Sequence, residues 1–357
     1  MRFLRGYNLV SMKALNTIKE ILAERENSIL SEFAQKSSQS KGRACAEELL
    51  DYETEYQHDK NRILHCKAFR RLKHKTQVFF APNNDHYRTR LTHTLEVSQL
   101  ARTMARALAL NEDLAEAIAL GHDLGHTPFG HTGEYLLNEI MIEGFRHSEQ
   151  SVRIVKHLEK LNLTHEVIDG ILTHNGNREA ITLEGKIVRF ADKIAYINHD
   201  IDDAIRAGVI REKDLPEDCQ KYFSLEKNTR TNKMIYNIIE TSWGKDDINM
   251  SEECFYYFNK MKSWMFENVY FNQDVKYEEG RAKRVVKELF YFYLEQLQRV
   301  TKCSNEISMQ RCVCDYVSGM SDRYAIQKYN EHFMPKFVQK ENNDDYLFAL
   351  ARESGLI

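Results

Sequence analysis

Helix breakers are scarce in this chain. Fifteen glycines and four prolines stand among 357 residues, about 5% of the total against a usual share of roughly 12%. A sandwich or barrel needs turn residues every ~8–12 positions. An all-β architecture is therefore excluded, and a chain of many helices is expected. The breakers are also unevenly placed: Gly121, Gly125, Pro128, Gly130 and Gly133 fall within 13 residues. That knot marks the place where a helical chain does something other than pack.

The remaining composition narrows the class. Hydrophobic content of 42% and charged content of 29% fit an ordinary globular protein. The length admits two or three domains, or one extended helical unit. A net charge of −3 exerts no overall pull toward nucleic acid or membrane. No apolar run approaches ~18 residues, so no membrane partner is expected. The opening MRFLRGYNLVSMKAL lacks a continuous apolar stretch and a small-residue cleavage site, so no signal peptide is expected; Met12 is an alternative start. The seven cysteines (Cys45, Cys66, Cys219, Cys254, Cys303, Cys312, Cys314) are odd in number, scattered and without CxxC. Reduced thiols in a cytoplasmic protein are the plain reading, and the Cys312–Cys314 pair reads as incidental rather than metal-binding.

Apolar periodicity predicts helices over 13–36, 92–110, 147–161, 164–173, 183–206, 230–242, 251–268, 282–300 and 306–317. On the second of these, Val97, Leu100, Ala101, Met104, Ala105 and Leu108 form one inward stripe. Asn111 can cap a further helix, with Leu114, Ala117 and Ile118 inward, ending near Gly121. Loops are expected near 174–180, 208–218, 243–249 and 270–280. Residues 61–84 carry six Lys/Arg (Arg62, Lys67, Arg70, Arg71, Lys73, Lys75) and no acid. This stretch is either a solvated basic face or an anion site anchored by Phe69, Val78, Phe79 and Phe80. The organisation expected is an N-terminal helical segment (1–60), a core (61–207) and a C-terminal helical region (208–357) packed on it as one globular unit.

The breaker knot coincides with a histidine cluster. His122, His126, His131 and His147 lie within 26 residues, and imidazoles are costly to bury unpaired. His93 stands one turn before Val97 on the inward face of its helix. His122 stands one turn after Ile118 on the next, and a short connection makes the two helices antiparallel neighbours. Asp123 follows directly. Asp192 lies among Leu183, Ile187, Val188, Phe190, Ala191 and Ile194, where a carboxylate needs a cation or donor, either a metal or a salt bridge to Arg189 or Lys193. Two imidazoles and two carboxylates make a hard-to-borderline metal site.

The pattern H…HD…D resembles the HD-domain phosphohydrolase superfamily. Longer blocks are more specific: NRILHCKAFRRLKHKTQVFF at 61–80, RTRLTHTLEV at 88–97, GHDLGHTPFGHTGE at 121–134, HSEQS at 147–151, RFADKIAYINHDIDD at 189–203 and DYVSGMSDRYA at 315–325. In this order they resemble the bacterial deoxyguanosinetriphosphate triphosphohydrolase-like family, from about residue 42 to about residue 325. The resemblance implies an all-α HD-domain helical fold with additional N- and C-terminal helices. It implies one divalent metal ion per site, held by His93, His122, Asp123 and Asp192, and hydrolysis of deoxynucleoside triphosphates to deoxynucleoside and tripolyphosphate. His131 and Glu134 match the catalytic pair. His126 and His147 match active-site histidines near the phosphates, with His126 counted among the catalytic residues. Arg90 and Lys193 match phosphate contacts, Tyr196 and Asp200 match contacts to the sugar 3′-OH, and Gln77 falls near sugar and base. A homo-oligomer, tetramer or hexamer, is also implied, with room for an allosteric nucleotide activator. The preferred base stays open, as does the metal among Mn, Mg, Fe, Co, Ni and Zn.

Elementary chemistry agrees with these roles. A divalent ion polarises a phosphoryl oxygen and lowers the pKa of bound water. The 5′-oxygen is a poor leaving group and needs a proton, which a histidine near neutral pH can supply. His131 and Glu134 are i, i+3, so a helical turn there lets Glu134 orient the imidazole. Asp192, Tyr196 and Asp200 are successive i, i+4 positions on one stripe ~12 Å long. Two rival readings remain: another HD-type hydrolase (a 5′-nucleotidase or phosphodiesterase), or a single-stranded nucleic-acid-binding regulator with a vestigial site.

Overall fold

The computed structural model describes residues 17–48, 50–77, 88–270, 273–301, 304–335 and 345–356. Met12, Cys303 and the Val78, Phe79 and Phe80 end of the basic stretch lie outside the described residues. The described chain forms sixteen α-helices and no strand; its only β-type pairings are the isolated bridges Arg43–Thr164 and Thr76–Thr89. Among the described residues, no helix is long and apolar enough to cross a membrane.

Three helices carry the centre: α4 (Arg90–Ala107), α5 (Glu112–Gly121) and α9 (Leu183–Arg206). The shorter helices before and between them are α1 (Ile18–Ile29), α2 (Glu55–His65), α3 (Lys67–Arg71), α6 (His131–Ile140), α7 (His147–Arg153) and α8 (His165–Thr173). Thr89 caps α4 and Asn111 caps α5, each accepting a first-turn N–H. Val97, Ala101 and Met104 of α4, Leu114 and Ile118 of α5, and Ile187, Ala191 and Ile194 of α9 are fully buried against one another. Each large aliphatic so enclosed contributes roughly 1.5–3 kcal/mol. Small residues at Ala101, Ala105, Ala115 and Ala117 let the helix axes approach closely.

Beyond α9 come α10 (Glu217–Phe223), α11 (Lys227–Ser242), α12 (Glu252–Met265), α13 (Gln273–Val300), α14 (Glu306–Ser318), α15 (Asp322–Phe333) and α16 (Asp345–Glu353). Through α12 they extend the first apolar core. The last four build a second one, in which Val286, Phe290 and Leu297 of α13 pack with Val313 and Val317 of α14, Leu350 of α16, and Leu136 and Leu137 of α6. Helix α6 thus ties the second core to the knot at 121–133.

Several expectations from periodicity are corrected. The helix expected over 13–36 is confined to Ile18–Ile29 in the described residues, because Leu30 turns extended and residues 31–36 continue without α-helix. The loop expected at 270–280 is helical from Gln273 onward, where α13 begins. Helices α2, α3, α10, α15 and α16 were not expected. Helix α16 carries a short apolar run, with Leu347, Leu350 and Ala351 buried in the second core. In α2, α3, α10 and α15 the apolar residues are few or broken by charges, and tertiary contact stabilises them rather than a strong stripe. Helix α2 shows how: only Tyr56, Asp59 and Ile63 are buried, and Asp59 accepts from the Thr164 N–H (2.8 Å) and pairs with Arg43.

Candidate active site

The knot does what its glycines require. Helix α5 stops at Gly121, and residues 122–125 turn before the chain reaches α6. A Cβ on Gly125 would lie 2.2 Å from the Ser151 amide nitrogen and 2.4 Å from the His147 carbonyl, so only glycine lets the turn lie against α7. Gly130 has φ of +58° and starts α6, the left-handed region glycine enters without strain. The turn thereby presents His122, Asp123 and His126 to one side, and His131 and Glu134 from the first turn of α6.

His93, His122 and Asp192 converge, with ligand-type atoms all within 4.8 Å of one another. Asp192 Oδ1 is 3.0 Å from His93 Nε2 and 3.8 Å from His122 Nε2. Asp123 Oδ1 is 3.5 Å from His122 Nε2 and 3.6 Å from His126 Nε2. Its other oxygen accepts from Arg90 at 2.8 Å. His122 donates Nδ1–H to the Ala119 carbonyl (2.6 Å), which leaves the Nε2 lone pair facing two carboxylates; that buried atom has no hydrogen-bond partner. A lone pair set among carboxylate oxygens calls for a cation. His93, His122 and Asp192 therefore fit a divalent metal on geometry and donor chemistry alike, while Asp123 adjoins them at His122 Nε2 and groups with His126 and His147. The salt bridge to Arg189 is not what holds Asp192: Arg189 donates to the carbonyls of Arg178 and Gly176. Asp192 keeps 22% of its side-chain surface open, so the centre opens to solvent beside it.

A second cluster adjoins the first. His126 stacks on His147 with ring centroids 3.9 Å apart. His131 Nδ1 lies 3.1 Å from Glu134 Oε2, as the i, i+3 spacing predicts. Glu134 is shared, however: it also holds His147 through Nδ1 (2.8 Å) and through the backbone N–H (2.9 Å). His126, His131 and Glu134 thus line a neighbouring cluster, joined to the first through Asp123, instead of facing the same point as His93. His131 is the most open of these histidines, and Tyr196 sits 6.2 Å from it, edge to face. Lys193 and Asp200 share α9 with Tyr196. Lys193 is half-buried with its ammonium 6.0 Å from the Phe190 ring, and Asp200 is enclosed about two turns beyond Asp192. Gln77 is buried at the edge, its carbonyl 3.4 Å from Arg90.

Charge is arranged to match. Burial opposes ionisation of Asp123, but His122, Arg90 and His126 hold its carboxyl well below the usual range. For Asp192, burial is likewise outweighed by His93 and His122. Burial, reinforced by Arg90 and His147, holds His126 far below an ordinary imidazole. Burial also works against charge on His147, yet Glu134 overcomes it and raises that imidazole. The adjacent imidazoles of His126 and His147 are thus driven apart in proton affinity.

Among its described residues, the basic stretch does not form one continuous solvated face. Arg62 donates to the Leu161 carbonyl and pairs with Glu47, Lys75 donates to the carbonyls of His126 and Ser318, and Lys67, Arg70 and Lys73 are exposed. Sequence reasoning missed Lys75, His174, Asn175, Glu96 and His199. His174 is buried, with Nε2 3.1 Å from His147 Nε2, and Asn175 Nδ2 is 2.8 Å from the same atom. Burial, with His122 and His147 adding to it, pushes His174 down to about 3. Its place three residues after Ile171 and seven after Val167, continuing the buried face of α8 just past its end, was a readable signal.

The HD domain family matches residues 90–197, and the phosphohydrolase-associated domain matches residues 248–331. Fold and site thus define an HD-domain hydrolase. A deoxyguanosinetriphosphate triphosphohydrolase-like protein of Caldanaerobacter subterraneus subsp. tengcongensis is 51% identical over 326 residues, covering 89% of this chain and 96% of its own. Proteins of the same description from Clostridium perfringens strain SM101 and Desulfatibacillum aliphaticivorans are 43% and 42% identical. They cover 90% and 89% of this chain, and 99% of their own length in both cases. The chain belongs to the deoxyguanosinetriphosphate triphosphohydrolase-like family.

Proposed function

We propose that the protein hydrolyses deoxynucleoside triphosphates to deoxynucleoside and inorganic tripolyphosphate. The observation that carries the reading is the orphaned His122 Nε2, set among His93, Asp123 and Asp192 beside a separate His131–Glu134 pair. His93, His122, Asp123 and Asp192 would hold one divalent cation, which when bound supplies Lewis-acid polarisation of a phosphoryl oxygen and an acidified water. The chain's own residues do the rest. Arg90 and His126 flank Asp123, where the phosphates of a nucleotide would meet positive charge and donors. Glu134 holds the Nδ1 proton of His131, so Nε2 of that open imidazole can deliver a proton to the departing 5′-oxygen. Tyr196, 6.2 Å from His131, would contact the deoxyribose, and Asp200, Lys193 and Gln77 would supply further contacts to the nucleotide. The names carried by the relatives support a guanine nucleotide as one substrate.

The test is incubation of the full-length protein with each deoxynucleoside triphosphate and Mn²⁺ or Mg²⁺, with product identification. Tripolyphosphate is expected. Pyrophosphate or phosphate in its place would assign the protein to a different HD-type reaction, and no turnover under any metal and nucleotide combination would refute the proposal.

A further inference from the structure

His93 faces the candidate metal centre with Nε2, and its other ring nitrogen points the opposite way, into the contact between α4 and α9. There its Nδ1 lies 3.4 Å from Nδ1 of His199, with the two rings crossing at 87°. Nε2 of His199 is in turn paired with a carboxylate oxygen of Glu96. His93 and His199 are buried, whereas Glu96 keeps 41% of its side chain open to solvent. Two helices supply the whole chain of contacts. His93 and Glu96 are one turn apart on α4, and His199 stands two turns after Asp192 on α9. The same pair of helices therefore brings together both the front and the back of the His93 ring.

Proton counting gives this arrangement a direction. A histidine that offers Nε2 to a cation must carry its proton on Nδ1. On His93 that proton has one acceptor, Nδ1 of His199. Nδ1 of His199 can accept only when its own proton sits on Nε2, and there Glu96 takes it. Glu96 thus fixes the tautomer of His199, and His199 fixes the tautomer and tilt of His93. Glu96 is itself held in place. Arg88 donates to it at 3.3 Å and is anchored by Asp202 (3.2 Å) and Asp203 (3.0 Å). Space filling does not account for the pattern. An apolar residue at position 199 would fill the same volume while leaving a buried N–H of His93 without an acceptor, which is costly.

We propose that Glu96 and His199 form a relay that orients His93 and raises its basicity, and so sets the affinity of the centre for its divalent ion. They are positioning residues, and the inference rests on the metal centre proposed above.

The experiment is calorimetric titration of Mn²⁺ into the metal-stripped full-length protein, alongside melting of the metal-free form. The wild type is compared with His93→Ala, Glu96→Ala, Glu96→Gln, His199→Ala and His199→Gln. Glu96→Ala and His199→Ala are expected to bind Mn²⁺ about 10–100-fold more weakly. Glu96→Gln, which keeps an acceptor but loses the charge, falls between them and the wild type. His199→Gln, whose amide can accept from His93 and donate to Glu96, recovers part of the loss. The relay is refuted if Glu96→Ala and His199→Ala bind within about twofold of wild type, or if His199→Gln is no better than His199→Ala. Glu96→Gln removes no buried volume, so it decides the matter even where His199→Ala does not fold. A wild type that binds Mn²⁺ no better than His93→Ala overturns the metal centre itself, and the relay with it; tight wild-type binding with unaffected relay variants overturns the relay alone.

Discussion

Glu184 lies in the first turn of α9, fully buried, far from the histidines. One carboxylate oxygen accepts the N–H groups of Asn111 (2.9 Å) and Gln35 (3.0 Å); the other has no partner. Burial dominates, the two N–H groups only partly offset it, and nearby Glu26 adds repulsion, so the carboxyl is pushed up from 4.5 to about 7. The folded state therefore holds a proton that the unfolded chain releases between pH 4.5 and 7. Stability from this residue is largest below pH 4.5, falls as pH rises through that window, and is gone above about pH 7. At about 1.36 kcal/mol per pKa unit the full span is about 3 kcal/mol, of which about 2.5 kcal/mol separates pH 5 from pH 8. Glu184→Gln keeps an acceptor for both N–H groups and cannot ionise. Urea unfolding of both proteins at pH 5 and pH 8 isolates the effect, because every other titrating group cancels in the difference. Relative to Glu184→Gln, wild type should lose about 2–3 kcal/mol between those pH values. A difference that stays constant within about 0.5 kcal/mol, the usual scatter for independent sites, refutes the reasoning.

Other outcomes follow from the braces around the knot. Lys75→Met leaves the carbonyls of His126 and Ser318 without their buried donor; a loss of about 2 kcal/mol is expected in unfolding experiments, with turnover reduced further than stability explains. Asp322→Asn replaces by an NH₂ one of the two oxygens that hold the Thr76 N–H (Oδ2, 2.8 Å) and the Phe129 N–H (Oδ1, 2.9 Å), at a cost of about 1–3 kcal/mol by the same measurement. Gly125→Ala drives a methyl group into the backbone of α7; loss of about 1–3 kcal/mol or more and weakened Mn²⁺ binding by calorimetry are expected together, since the turn that places Asp123 must shift.

Legibility in the sequence follows the range of the interaction. His93 and His122 were readable because each continues an apolar stripe by one turn, and the stripe fixes which way a helix faces. Asp192 was readable for the same reason, and Glu134 through its spacing to His131. The partnership of Glu134 with His147 was not, because 13 residues and a turn separate them and only the path of the turn brings them together. Lys75 was read as one charge in a basic stretch; nothing local distinguishes a lysine that faces solvent from one that reaches two carbonyls, one of them 243 residues away. His199 carried a signal at i+7 from Asp192, but its meaning depended on the approach of α4.

The braces also explain why the matched HD domain, residues 90–197, does not contain everything its site needs. Lys75 precedes it and donates both to the His126 carbonyl within it and to the Ser318 carbonyl beyond it. Asp322 grips Thr76 on one side of the knot and Phe129 within it. Asp315 accepts from Gln150 (2.9 Å) and is chelated by Arg153 (2.6–2.9 Å), both on α7 just after His147. Asp315, Ser318 and Asp322 all fall in the phosphohydrolase-associated domain, residues 248–331. The strained corner at Phe129, with φ of +61°, persists only while surrounding contacts over-determine it. Removing the associated domain takes away the Asp322 acceptor at that corner, the Ser318 carbonyl behind Lys75 and the anchor of α7 at once. A chain ending before α13 should therefore bind Mn²⁺ far more weakly than the full protein in calorimetry even where circular dichroism shows its remaining helices formed. Equal affinity in the shortened chain would mean that the knot holds its geometry alone.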